Sequence, residues 1–131
     1  MRKIFNSIDS HFEEYKQLWI DICNIESITA DKAAVNQVSD YIERFCLQKG
    51  YRVNKRMFER SGNCLSISMN EDCDLPGVAL LAHMDTVHEK GKFGNPPVKE
   101  DGRYLYGPGV YDCKGGIAVA LLVMEVLKET G

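Results

Sequence analysis

Three side chains have the types and spacing to do chemistry together: His83, Asp85 and Asp112. The first two close the apolar run Val78-Ala79-Leu80-Leu81-Ala82, and the third sits within Gly107-Pro108-Gly109-Val110-Tyr111-Asp112-Cys113-Lys114-Gly115-Gly116. Positions i and i+2 of an extended chain point the same way. Asp85 can therefore fix the imidazole tautomer of His83 and raise its basicity, as metal-binding histidines require. Taken alone, His-x-Asp could merely close a strand with a hydrogen bond. The glycine-rich turn could cradle a phosphate, but its details argue otherwise. A dinucleotide fingerprint wants a third glycine where Asp112 stands, and a phosphate loop wants Ser or Thr after Lys114, where Gly115 stands. A carboxylate in that cradle repels phosphate and attracts a cation. One imidazole plus one carboxylate able to bridge two ions is the start of a zinc constellation.

These residues need a scaffold. Ile4, Ile8, Phe12, Tyr15, Trp19 and Ile22 recur every three or four residues, which predicts an amphipathic helix from about 4 to 24. Thr29 or Asp31 can cap a second helix with an inner face of Ala34, Val38, Tyr41, Ile42 and Phe45, stopped by Gly50. The period then becomes two. Tyr51, Val53 and Met57 alternate with polar residues, Ser61-Gly62-Asn63 signals a turn, and Leu65, Ile67 and Met69 complete a hairpin. Asp72 to Gly77 reads as a polar connection. The unbroken apolar run 78–82 predicts a strand covered on both faces. Residues 88–106 read as a polar excursion with a turn at Lys99-Glu100-Asp101-Gly102-Arg103. Ile117 to Leu127 is apolar nearly all round, which predicts a buried helix. The order implies an α/β fold: a mixed, mostly parallel sheet flanked by helices.

With 131 residues the chain can build one domain with a core. Its 44% hydrophobic and 27% charged residues are ordinary for a soluble globular domain. A net charge of −3 and a scattered set of basic residues suggest neither nucleic acid nor an anionic membrane as partner. Lys55, Arg56 and Arg60 read as a solvated strand face. No stretch reaches the roughly 18 apolar residues of a spanning helix, and Arg2 and Lys3 are not followed by the apolar run of a signal peptide. Five cysteines without a Cys-x-x-Cys point to a reducing cytoplasm, with most of them filling apolar space.

The motifs His83-Met84-Asp85-Thr86-Val87 and 107–116 resemble those of the cocatalytic zinc metallopeptidases. That family includes glutamate carboxypeptidase, acetylornithine deacetylase, succinyl-diaminopimelate desuccinylase and aminoacylase. The likeness covers roughly residues 75–131 well and the two amino-terminal helices loosely. It implies that His83 binds one zinc, that Asp112 bridges two, and that Asp85 is the catalytic residue orienting His83. Cobalt and manganese are alternatives to zinc. It also implies a cis bond between Asp112 and Cys113. The family's general base is a glutamate of a Glu-Glu pair whose partner binds metal. That pair, a further acidic ligand, a final histidine and a dimerisation domain all come later in such proteins. Residues 1–131 are thus expected to be the amino-terminal part of a catalytic domain.

The resemblance makes the parent an amidohydrolase that cleaves a peptide or N-acyl bond. The chain alone is expected to be inactive and to bind zinc weakly or not at all. The parent could be a homodimer, and the shortened sheet could self-associate. Two rivals stand beside this reading: a non-catalytic metal-binding or interaction module, and a nucleotide-binding domain that Asp112 disfavours. Of the other candidates, His88 reads as a surface or substrate-rim residue, His11 as solvent-facing, Trp19 as core, Lys114 as a partner within its own loop, and Cys113 as filler.

Overall fold

A computed structural model describes residues 1–70, 74 and 76–131. The first helix, α1, spans Arg2–Asn24 and buries Tyr15, Leu18, Ile22 and Cys23. Of the expected inner face, Ile4 and Phe12 are exposed. The apolar stripe that packs lies in the carboxyl-terminal half, while Ser7 and His11 in the amino-terminal half meet the last helix through Glu129. The second helix, α2, spans Lys32–Gln48. Asp31 is its cap: the carboxylate accepts from the Ala34 amide at 3.0 Å, satisfying a first-turn N–H that has no intrahelical partner. Gly50 ends α2 at φ +78, a conformation that costs glycine nothing. The turn beyond it returns the Tyr51 amide to the Cys46 carbonyl at 3.0 Å.

The period-two segments form the expected hairpin. Strand β1, Arg52–Arg56, pairs antiparallel with β2, Cys64–Ser68, with Val53 opposite Ile67. Val53, Leu65 and Ile67 pack against the core, and Met57 lies exposed beyond the strand. The core joins Tyr15, Leu18 and Ile22 of α1, Val38, Ile42 and Cys46 of α2, Tyr51, and Ile117 and Leu121 of the third helix. That helix, which we call α3, spans Lys114–Thr130.

The sheet differs from the expectation. The described residues hold two antiparallel pairs, β1–β2 and a short hairpin of β3, Lys99–Glu100, with β4, Leu105–Tyr106. Among the described residues, parallel pairing is confined to one bridge, Ile28 with Thr86. The run 78–82 is not a buried strand. It joins no ladder, and Val78 and Leu81 are 89% and 94% exposed. A strand covered on both faces needs paired strands beside it and packing layers above and below, and among the described residues 78–82 pairs with none. The helix α3 is likewise buried on one face only. Ile117, Ala118, Leu121 and Val126 face inward while Val119, Val123 and Leu127 are exposed. The expected polar connection at 72–77 lies partly outside the described residues.

The turn between β3 and β4 falls at 101–104, slightly later than expected. Asp101 Oδ1 accepts from the Arg103 and Tyr104 amides at 3.0 and 2.8 Å, and Oδ2 accepts from Tyr106 Oη at 2.9 Å. An aspartate bonding amides two and three residues on is an ordinary turn builder. Among the cysteines, Cys23 and Cys46 fill apolar space as expected, while Cys64 is exposed and Cys113 half-buried. Lys55 pairs with Asp40 at 2.8 Å and with Glu43, so it binds the hairpin to α2 as well as facing solvent.

Candidate metal centre

Two segments converge on the site, and the end of α1 with the connection that follows it holds both. The first is 83–86. The Thr86 amide donates to the Ser27 carbonyl at 2.8 Å, and the Thr29 amide donates to the Thr86 carbonyl at 3.0 Å. Ser27 Oγ donates to the Met84 carbonyl at 2.7 Å. The connection between α1 and α2 thus grips this segment on either side of Asp85.

The second segment is 107–113. Gly109 adopts φ +73, and a Cβ there would lie 2.9 Å from Thr86 Cγ2, so both conformation and space demand glycine. A Cβ on Gly115 would lie 2.4 Å from the Val110 carbonyl oxygen, which lets α3 start directly against the loop. That same carbonyl accepts from Trp19 Nε1 at 3.0 Å. Trp19 is therefore half-buried and fastens the loop to α1, instead of belonging to the core as expected. The Asp112–Cys113 bond is cis, as the resemblance implied.

Lys114 corrects the expectation of a pairing within its own loop. It is fully buried, and its ammonium donates to the carbonyls of Ile22 and Ile25 at 2.8 and 2.6 Å. These are carbonyls at the carboxyl end of α1, which lack intrahelical partners and carry the negative end of the helix dipole. Burial lowers the Lys114 pKa to about 8.

The fastenings bring all three predicted site residues together. His83 Nδ1 lies 3.1 Å from Asp85 Oδ1 and 3.1 Å from the Asp85 carbonyl. His83 Nε2 lies 3.0 Å from Asp112 Oδ1, across 29 residues of sequence. Partial burial pulls the His83 pKa down, but hydrogen bonding to Asp112 and Asp85 outweighs it and leaves the pKa above its ordinary value. The Asp85 carboxyl is held below the usual range, chiefly by a hydrogen bond from Thr29.

This donor pair fits a borderline divalent cation. Two ligands of one tetrahedral zinc stand about 3.3 Å apart, close to the 3.0 Å between His83 Nε2 and Asp112 Oδ1. Cys113 Sγ completes a group whose ligand atoms all lie within 4.8 Å of one another. The Asp112 side chain is 80% exposed, so its carboxylate is open to a second ion or a ligand. A cleft of about 430 Å³ opens over the pair, with His88, Phe93, Tyr106 and Tyr111 among its walls. His88 stands edge-on to Phe93 at 5.0 Å, on the rim as expected.

A second group, His11, Glu125 and Glu129, also brings its ligand atoms within 4.8 Å. Here every member has protein partners. Glu125 accepts from Tyr51 Oη at 2.6 Å and Tyr15 Oη at 3.3 Å, and Glu129 accepts from Ser7 Oγ at 2.6 Å. His11 Nε2 lies 2.8 Å from Glu129, so His11 ties α1 to α3 and does not simply face solvent. This group is a polar brace between helices.

Comparison with known proteins fits the geometry. The profile of peptidase family M20/M25/M40 matches residues 79–131. Carboxypeptidase G2 of Pseudomonas sp. (strain RS-16) is 32% identical over 115 residues, covering 84% of this chain and 27% of that protein. The chain thus spans about a quarter of the length of this relative. Residues 79–131, with His83, Asp85 and Asp112 among them, are a segment of peptidase family M20/M25/M40.

Proposed function

We propose that this chain carries part of the metal centre of a two-zinc hydrolase that cleaves a peptide or N-acyl amide bond. The observation that carries the reading is the approach of His83 Nε2 to Asp112 Oδ1 at 3.0 Å. Similarity to a carboxypeptidase supports a substrate with a free carboxylate beside the cleaved bond. A zinc ion bound there supplies Lewis-acid polarisation of the amide carbonyl. His83 would hold the ion through Nε2, leaving Nδ1, 3.1 Å from Asp85 Oδ1, to donate to that carboxylate. Asp112, turned to solvent, offers its carboxylate to a second ion.

The remaining work of amide hydrolysis needs a base to take a proton from water. His83 and Asp85 are committed to each other, and Asp112 to the metals. We therefore expect the 131-residue chain to be inactive alone and to hold zinc weakly. Free thiols at Cys23, Cys46, Cys64 and Cys113 support a reducing, cytoplasmic setting. No helix among the described residues is long and apolar enough to cross a membrane.

The test is zinc-dependent hydrolysis of an N-acyl-glutamate by the complete reading frame that contains this chain. His83→Ala and Asp112→Ala should each abolish it. Hydrolysis that survives both substitutions would remove the metal role. Zinc-dependent hydrolysis by residues 1–131 alone, lost on His83→Ala, would overturn the expected inactivity. A reading frame without amide hydrolysis, but with zinc bound at His83, would favour a non-catalytic metal-binding module.

A further inference from the structure

Asp85 orients His83, but a carboxylate on an open loop needs orienting itself. Its side chain is 31% exposed and that of His83 is 51% exposed, so packing alone fixes neither. Thr29 supplies the missing contact. Its hydroxyl donates to Asp85 Oδ2 at 2.6 Å, a short bond of the charge-assisted kind. The same oxygen lies 3.2 Å from the Thr86 carbonyl, the weaker of its two acceptors. The backbone bridge between Ile28 and Thr86 fixes where the hydroxyl stands.

The geometry matters because two carboxylates compete for the imidazole. Asp85 approaches Nδ1 at 3.1 Å and Asp112 approaches Nε2 at 3.0 Å. A neutral imidazole carries one proton. If the proton sits on Nδ1, Nε2 is free to accept a cation. If it sits on Nε2, it bonds Asp112 and blocks the site. With Oδ2 occupied by Thr29, the Asp85 carboxylate is held with Oδ1 toward Nδ1.

We infer that Thr29 is a positioning residue of the metal centre: through Asp85 it selects the His83 tautomer whose Nε2 is open. This deepens the metal reading above and rests on it. Thr29 itself is exposed and contributes little packing, so its hydroxyl can be removed with small effect on the core.

The test is ¹⁵N NMR of the imidazole nitrogens of the labelled chain at about pH 9, where an ordinary histidine is neutral. The chain has only three histidines to assign, His11, His83 and His88. In the unmodified chain the Nδ1–H form of His83 should predominate. Thr29→Val, which keeps the shape and loses the hydroxyl, should shift the ratio several-fold toward Nε2–H. Thr29→Ser should keep the original ratio. Should Thr29→Val not fold, Thr29→Ala serves in its place. In an Asp85→Asn background the Thr29 substitution should have no further effect, because Thr29 acts through Asp85. An unchanged ratio in the valine or alanine variant, or a full effect in the Asp85→Asn background, overturns the inference. Adding zinc chloride near neutral pH to the complete reading frame that contains this chain separates the two ideas, because the 131 residues alone are expected to bind zinc weakly or not at all. If zinc leaves the His83 Nε2 resonance unmoved at millimolar concentration while Thr29 controls the ratio, the metal reading fails and the role of Thr29 stands. If zinc moves it and the ratio ignores Thr29, only the inference fails.

Discussion

The ammonium of Lys114 donates to the Ile25 carbonyl at 2.6 Å, fastening the residue two positions past Asp112 to the end of α1. A buried cation is costly unless its donors are used. Here two are used on carbonyls that would otherwise lack partners.

Lys114→Met should therefore destabilise the chain by about 2 kcal/mol, since it strands two buried carbonyls while relieving the burial of a charge. Lys114→Ala should cost more, because a cavity is added. Urea denaturation midpoints measure both. A methionine variant as stable as the parent would show that relief of the buried charge offsets the two stranded carbonyls.

Alkaline pH should unfold the protein. The thiols of Cys23 and Cys46 are each pushed by burial from an ordinary 9.0 up to about 12. The folded state keeps these protons after the unfolded chain has lost them, so stability falls as pH rises from about 9 to about 12. Each group contributes up to about 1.4 kcal/mol per pH unit within its window. Lys114, lowered from 10.5 to about 8, acts in the opposite sense between those values but is a single group. In thermal melts across this range, Cys46→Ala should give a shallower alkaline decline, and an equal slope would refute the assignment.

Metal binding should strengthen as pH rises. A protonated His83 cannot accept a cation, and hydrogen bonds to Asp112 and Asp85 hold its pKa above 6.5. Asp112→Asn should lower the His83 pKa and remove a ligand together. Titration of the ring carbon proton by NMR reads the first effect, and cobalt absorption at fixed pH reads the second. A His83 pKa that ignores Asp112 would contradict the 3.0 Å contact.

The outer face of α3 should drive self-association. Val119, Val123 and Leu127 are 61%, 41% and 49% exposed along one side of the helix. Val119→Lys with Val123→Glu should reduce any concentration-dependent mass seen by analytical ultracentrifugation, and leave the fold intact because neither residue is in the core. A monomer at all concentrations would show that this face is tolerated in water.

How much of this was legible in the sequence depended on the range of the interaction. The helices from Ile4, Ala34 and Ile117 and the hairpin around Gly62 follow local periodicity, and their positions agree closely with expectation. The convergence of His83, Asp85 and Asp112 was legible because paired motifs constrain residue type and spacing. The run 78–82 was misread because an apolar strand pattern states an appetite for neighbours without showing that they are present. Thr29 could be seen only as a helix cap, since its bond to Asp85 spans 56 residues. Lys114 gave no signal beyond its place among glycines, and its partners lie 92 and 89 residues earlier.

The family profile begins at residue 79, and His83, Asp85 and Asp112 all lie after that point. Trp19, Ser27, Thr29 and the carbonyls that receive Lys114 all lie before it. The amino-terminal helices and the turn between them thus work as a jig: they supply no ligand to this centre, yet they set the spacing between the two segments that do. A piece cut at the profile boundary would hold the full chemistry of these ligands and lose their alignment, so the smallest recognisable segment is smaller than the smallest working one.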